Sequence, residues 1–182
     1  MELRETLKYY KGKRVLITGH TGFKGSWLAY ILDSMGAEIT GYSLQPNTEP
    51  SLFNSLEFSD NFISIIGDIR DKEKFKKAIE ISNPEFIFHL AAQPLVIESY
   101  QNPKETFDIN FTGTLNLLEI LRELDLSAQV IFVTTDKVYE NLELGIPFKE
   151  TDKLGGKDPY SASKAASEIL IDSYNKSFFK DS

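Results

Sequence analysis

The sequence predicts an α/β fold, a doubly wound parallel sheet of about five strands in the order 3-2-1-4-5. Two observations predict it. Short runs rich in β-branched and aromatic residues alternate with longer helical patterns, as in a chain of βαβ units. A glycine-rich turn, TGHTGFKGSWL from Thr18 to Leu28, comes directly off the first of those runs and opens the first helix.

In chain order, Arg14 to Thr18 forms the first strand and Gly22 to Met35 the first helix, with Gly36 as its terminator. Strands follow at Glu38 to Ser43 and Phe62 to Ile66, then a helix over Lys72 to Ile81 and a strand over Phe86 to Leu90. Asn102 and Asp158 each stand before a proline, where a capping side chain and a proline at the first helical position mark a helix start. Helices are therefore expected over Lys104 to Leu124 and Tyr160 to Phe178, with the fifth strand, Gln129 to Thr134, between them. Leu142 to Lys157, which holds Gly145, Pro147, Gly155 and Gly156, reads as a surface loop.

A chain of 182 residues with 41% hydrophobic content builds one respectable core, so one domain over residues 1–182 is expected. The formal charge of -7 argues against a general nucleic-acid binder, whose affinity for phosphates needs surplus Lys and Arg. Without cysteine there is neither a disulfide framework nor a thiolate metal site, which fits the cytoplasm. The start, MELRETLKYYKGKR, lacks the apolar core of a secretory signal, and no apolar run approaches the roughly 18 residues of a membrane span.

Gly19, Gly22 and Gly25 carry the first chemical signal. Placed between strand and helix, the first makes a tight turn, the second lets the backbone approach a pyrophosphate, and the third lets helix and strand pack closely. The helix N-terminus adds unpaired N–H groups and partial positive charge. An NAD site also expects an acid on the ribose about 20 residues on. The second strand ends Tyr42-Ser43-Leu44-Gln45 instead, so the choice between NAD and NADP stays open.

The glycine spacing is that of the extended short-chain dehydrogenase/reductase superfamily, a Rossmann-type fold. GHTGFKGSWL, Gly67-Asp68-Ile69-Arg70, His89-Leu90-Ala91-Ala92-Gln93, Thr134-Thr135-Asp136-Lys137-Val138-Tyr139 and Tyr160-Ser161-Ala162-Ser163-Lys164 together resemble its CDP-glucose 4,6-dehydratase family. The resemblance covers nearly the whole chain and the N-terminal half of that family's length. It implies an NAD site built from Gly19, Gly22, Phe23, Lys24 and Gly25 at the pyrophosphate, Asp68 and Ile69 against the adenine, and Leu90, Ala91 and Ala92 beneath the nicotinamide, with Thr134, Tyr160 and Lys164 completing it. On the residues alone, Asp68 is a polar residue at a strand end and His89 a core histidine.

Tyr160 and Lys164 stand four apart on an expected helix and so share one face. A tyrosine acting as base near neutrality needs its pKa lowered by roughly 3 units, about 4 kcal/mol, which a lysine ammonium and a cationic nicotinamide can share. Tyr9 and Lys13 have the same spacing but precede the first strand, whereas Tyr160 follows the fifth, whose C-terminal end faces the ligand crevice of such a sheet. Thr135, Asp136 and Lys137 leave that same strand end, a placement suited to proton transfer.

The resemblance further implies CDP-glucose as substrate and an internal redox cycle. Hydride leaves C4 for the cofactor as Tyr160, assisted by Thr135, takes the 4-hydroxyl proton; water is lost across C5 and C6; the hydride returns to C6. Asp136 is assigned to the leaving hydroxyl and Lys137 to the C5 proton or enolate. The resemblance also implies a homodimer through helices 104–124 and 160–178, although a helix of a monomer accommodates Gly113 equally well. A C-terminal substrate domain is expected to be missing, so a non-catalytic dinucleotide-binding module is the second reading. A related epimerase, or a dehydratase using another nucleotide, is a third, and Lys137 after Asp136 opposes the epimerase.

Overall fold

The computed structural model describes residues 8–143 and 145–179. They fall into two compact units, the described part of Met1–Ala91 together with Ser127–Val133, and the described part of Ala92–Leu126 together with Thr134–Ser182.

The first unit holds β1 (Arg14–Thr18), α1 (Phe23–Ser34), β2 (Glu38–Ser43), β3 (Ile63–Ile66), α2 (Lys72–Ser82), β4 (Phe86–His89) and β5 (Gln129–Phe132). Its five strands form a parallel sheet in the order β3-β2-β1-β4-β5, as the sequence predicts. Thr18 pairs with both Tyr42 and His89, and His89 with Phe132, so the strand ends are level. The glycine turn, Asp68 and Leu90 therefore leave from one edge of the sheet.

Strand alternation sorts the core between two faces. Val15, Ile17 and Ile39 pack with Ala29 and Leu32 of α1. On the other face Tyr42, fully buried, stacks on Phe75 of α2 with ring centroids 4.8 Å apart. Between β2 and β3 the chain makes only a 3-10 turn at Phe53–Ser55. That connection is tied to α1 through Asp33, whose carboxylate accepts from the Ser59 amide (2.8 Å) and hydroxyl (2.6 Å).

Strand ends differ from the sequence reading where a backbone amide finds another partner. Phe62 donates to Ser59 in a turn, so β3 starts at Ile63. The Leu90 and Ala91 amides turn to the Thr18 hydroxyl, so β4 stops at His89. β5 stops at Phe132 rather than Thr134, with Val133 adding one further bond to His89. Gly36 does follow the end of α1, in the left-handed region at φ +83°.

The second unit is helical: α3 (Val96–Gln101), α4 (Pro103–Phe107), a π-helical turn (Asp108–Thr112), α5 (Gly113–Leu124), a 3-10 turn (Asp136–Val138) and α6 (Pro159–Phe178). Two expectations need correction here. The helix over Lys104 to Leu124 is not one regular α-helix, because the π turn interrupts it. Asn102 does stand at the N-cap with Pro103 in the first turn, but its side chain makes no capping bond, and its backbone amide donates to Glu98, closing α3, a helix the sequence reading lacks. Asp158 does cap α6, accepting from the Ser161 amide at 2.9 Å and hydroxyl at 2.6 Å. Within the expected loop, Leu154 bridges back to Tyr139 in antiparallel fashion. Among the described residues no helix is long and apolar enough to cross a membrane.

Candidate functional site

In the first unit the glycine turn is built by steric necessity. Gly19 sits at φ +76°, and a Cβ there would lie 2.8 Å from the Ala91 amide nitrogen. A Cβ on Gly25 would overlap the Gly19 carbonyl, so Gly25 keeps α1 tight against the turn. Gly22 is the N-cap of α1 and no side chain caps that end. Gly22, Phe23 and Lys24 are exposed there, leaving first-turn N–H groups and a lysine at an open helix start. These residues fit a dinucleotide pyrophosphate, since the backbone approach is unobstructed and the helix end favours an anion.

The turn after β4 is locked to the same edge. Thr18 Oγ1 accepts from the Leu90 and Ala91 amides, both at 3.1 Å, and lies 2.9 Å from His89 Nδ1. With two amides donating to it, the hydroxyl hydrogen points to Nδ1, which leaves the proton of a neutral ring on Nε2. His89 is thus the satisfied core histidine that the residues alone allowed. Asp68 accepts from the Arg70 guanidinium (2.6 Å from the terminal nitrogen to Oδ2) and from the Arg70 amide (2.8 Å). Burial raises its pKa, but these Arg70 bonds outweigh that and hold the carboxyl below its ordinary value. Ile69 beside it is buried.

His20, inside the glycine turn, is a residue that the sequence reading did not single out. It is fully buried, bonds Ser64 Oγ through Nε2 at 2.8 Å, and meets the Phe53 ring edge-on. Burial lowers its pKa to about 4, the Tyr42 backbone opposing this. The unfolded chain binds this proton below about pH 6.5 and the folded chain does not until about pH 4. His20 is therefore expected to remove up to about 3 kcal/mol of stability as pH falls across that window, with no cost above it. Urea unfolding of the chain and of His20→Asn at pH 7.0 and 4.5 checks this, the variant losing less on acidification.

The second unit brings together Thr134, Thr135, Asp136, Lys137, Tyr160 and Lys164. Thr135 is the N-cap of the 3-10 turn, where its hydroxyl accepts from the Lys137 amide (3.3 Å). The same hydroxyl donates to Asp136 Oδ1 at 3.1 Å and stands beside the Tyr160 phenol. Tyr160 has its pKa raised, first by burial and then by the Asp136 and Asp158 carboxylates, with the neighbouring Thr135 hydroxyl opposing. Its hydroxyl is accordingly a phenol in the free chain. Lys164 is only 7% exposed, and burial lowers its pKa against the pull of Glu168. Asp136 and Lys137 are exposed, and Lys137 faces the Asp158 carboxylate. Ala92 begins this unit and is half-buried.

Beneath this cluster lies a polar network centred on Asn110 of the π turn, 2% exposed. Its side chain accepts from the Gln93 amide (2.8 Å) and donates to the Gln93 carbonyl (3.1 Å) and Ser163 Oγ (2.9 Å). Its carbonyl accepts from Thr114 (2.7 Å) and Ser167 (3.0 Å). Ser163 in turn donates to the Tyr160 carbonyl at 2.7 Å. The π turn thus fixes α6 on both sides of Lys164. Nothing in the sequence pattern marks a π turn. Glu168, by contrast, was findable: it repeats the Tyr160-to-Lys164 spacing one turn further along α6.

Comparison with known proteins places this geometry. The family model for GDP-mannose 4,6 dehydratase matches residues 16–179. CDP-glucose 4,6-dehydratase of Salmonella typhimurium is 46% identical over 171 residues, 94% of this chain and 48% of that protein. Among solved structures, UDP-glucose 4-epimerase of Thermus thermophilus in complex with NAD has a TM-score of 0.79 at 32% identity, covering 91% of this chain and 52% of that one. The dTDP-glucose 4,6-dehydratase of Bacillus anthracis in complex with NAD has a TM-score of 0.74 at 27% identity, covering 91% and 51%. The chain spans about half the length of the curated relatives it matches.

Proposed function

The chain belongs to the GDP-mannose 4,6 dehydratase family, and from that premise we propose that it is the cofactor-binding half of an NAD-dependent nucleotide-sugar 4,6-dehydratase acting on CDP-glucose. The observation that carries the reading is the Thr135 hydroxyl, which donates to Asp136 Oδ1 and stands beside the Tyr160 phenol, and so sets a base for oxidation next to an acid for elimination. Identity to the Salmonella CDP-glucose enzyme supports the substrate. NAD in the solved epimerase and dehydratase relatives supports the cofactor. No acid or cation stands at Ser43, Leu44 or Gln45, and the Ser43 hydroxyl is taken by Thr21 at 2.7 Å.

A bound nicotinamide supplies the hydride acceptor and later the donor. The chain's own residues move the protons. Tyr160, oriented by Thr135, takes the proton of the sugar 4-hydroxyl as C4 becomes a ketone. That ketone acidifies the C5 hydrogen, which Lys137 removes. Asp136 protonates the departing C6 hydroxyl, so water leaves; with hydride returned to C6 and the proton held by Lys137 returned to C5, the net reaction is a dehydration. Lys164 stabilises the tyrosinate. Gly19, Gly22, Phe23, Lys24 and Gly25 would hold the pyrophosphate and Asp68 and Ile69 the adenine, with Leu90 and Ala91 of the first unit and Ala92 and Thr134 of the second each assigned to the nicotinamide. In this reading the enzyme is a cytoplasmic homodimer; Phe107, Ile169 and Phe178, exposed along α4 and α6, support the pairing.

Incubation with CDP-glucose and NAD, followed by the absorbance of the 4-keto-6-deoxy sugar in base, tests the activity. Binding of the dinucleotide without product points to the module that only binds. Lys137→Ala is expected to leave C4 oxidation intact and block elimination; equal loss of both partial reactions refutes that division of labour.

A further inference from the structure

Glu168 stands four residues beyond Lys164 on α6, the spacing that places two side chains on one helix face. The Thr134 hydroxyl, on the segment that enters the 3-10 turn, donates to Glu168 Oε1 over 2.5 Å. We propose that Glu168 is the positioning residue of this site: its carboxylate anchors Thr134, and with it Thr135, Asp136 and Lys137, to the helix carrying Tyr160 and Lys164, and gives the buried Lys164 its counter-charge. This rests on reading Tyr160, Thr135 and Lys164 as the reacting group, and adds the residue that holds them together.

The physical need is plain for both partners. An ammonium removed from water loses hydration and drifts toward its neutral form unless a carboxylate faces it. Lys164 is in that position, burial pulling its pKa down and Glu168 pulling it up. A neutral Lys164 has no field with which to favour tyrosinate. Thr134 leads into a turn whose polar end residues are exposed, so a charge-assisted bond at its entrance limits how far Thr135 swings from Tyr160. The Tyr139 phenol, from the far side of the same turn, also faces the Glu168 carboxylate. Tyr160, one turn earlier on α6, completes the titratable groups around Lys164 on its own helix.

Two variants separate the roles. Glu168→Gln keeps an acceptor for Thr134 and removes the charge; Thr134→Val keeps the charge and removes the donor. The readouts are the titration of the Lys164 side chain, followed by carbon NMR at Cε, and amide hydrogen exchange of residues 135–138, both in this chain without substrate. Glu168→Gln is expected to lower the Lys164 titration by about one unit, a tenfold change in its proton affinity, and to speed exchange less than Thr134→Val does, because an acceptor remains but its charge is lost. Thr134→Val is expected to speed exchange about tenfold, equivalent to a bond of ~1.4 kcal/mol, and to leave the titration in place. An unmoved Lys164 in Glu168→Gln, or unmoved exchange in Thr134→Val, overturns the proposal. Should Glu168→Gln fail to fold, Glu168→Asp decides, with the Lys164 titration expected to hold and exchange to speed; a fallen titration there overturns it. Because neither readout needs turnover, absence of CDP-glucose conversion counts against the proposed function alone.

Discussion

Gly25→Ala is expected to lose dinucleotide affinity roughly a hundredfold, equivalent to ~2.7 kcal/mol, and to destabilise the chain by about 1–3 kcal/mol. The added methyl would occupy the position of the Gly19 carbonyl, which belongs to backbone and has no rotamer with which to retreat. Either α1 slides away from the turn or Gly19 leaves its left-handed conformation, and each deforms the cradle. Gly22→Ala is the informative control. Its Cβ would stand 3.3 Å from the same oxygen, on a backbone at φ -76° that alanine readily adopts. That variant is expected to melt near the parent chain while still weakening dinucleotide binding, because the methyl points into the backbone's approach to the pyrophosphate. Thermal unfolding and calorimetric titration with NAD measure both effects. A wild-type melting temperature for Gly25→Ala would show that the turn yields more than its packing indicates.

Tyr160→Phe is expected to slow the first hydride transfer roughly 10² to 10⁴-fold, the usual contribution of a positioned base. Burial and two carboxylates keep the free Tyr160 protonated, so its base form grows as pH rises. The oxidation rate of the parent enzyme should therefore climb with pH, and in Tyr160→Phe that dependence should vanish along with the rate. Single-turnover NADH formation with CDP-glucose measures this; an unchanged rate removes Tyr160 from the role of base.

The raised pKa of Tyr160 also shows where local reasoning stops. Spacing puts Tyr160 and Lys164 on one face, but the shift at Tyr160 is governed by its burial and by Asp136 and Asp158, which approach from outside that face. Lys164 in turn answers to Glu168. The glycine turn was legible because its constraints are local: the strand's end, the turn and the helix's first turn follow one another directly in the chain, and the steric demand falls on residues without a Cβ. The Asp158 cap was legible for the same reason. Asn102 carries an identical local signal and stands at the N-cap before Pro103, yet its side chain makes no capping bond and is turned instead to Glu98 one turn earlier.

The sequence by itself determined the parallel sheet, its strand order, the glycine turn and the residues that leave its carboxyl edge, because side-chain period, β-branching and turn chemistry act over a few neighbouring positions. Only the tertiary structure decided the rest. The π turn exists because Gln93, Ser163 and Ser167 converge on Asn110 from 17 to 57 residues away. The Thr18 hydroxyl meets Leu90 and Ala91 across 72 and 73 residues, and Thr134 reaches Glu168 across 34. Hydrogen bonds of that reach depend on where whole elements pack, and no local pattern of residues records it.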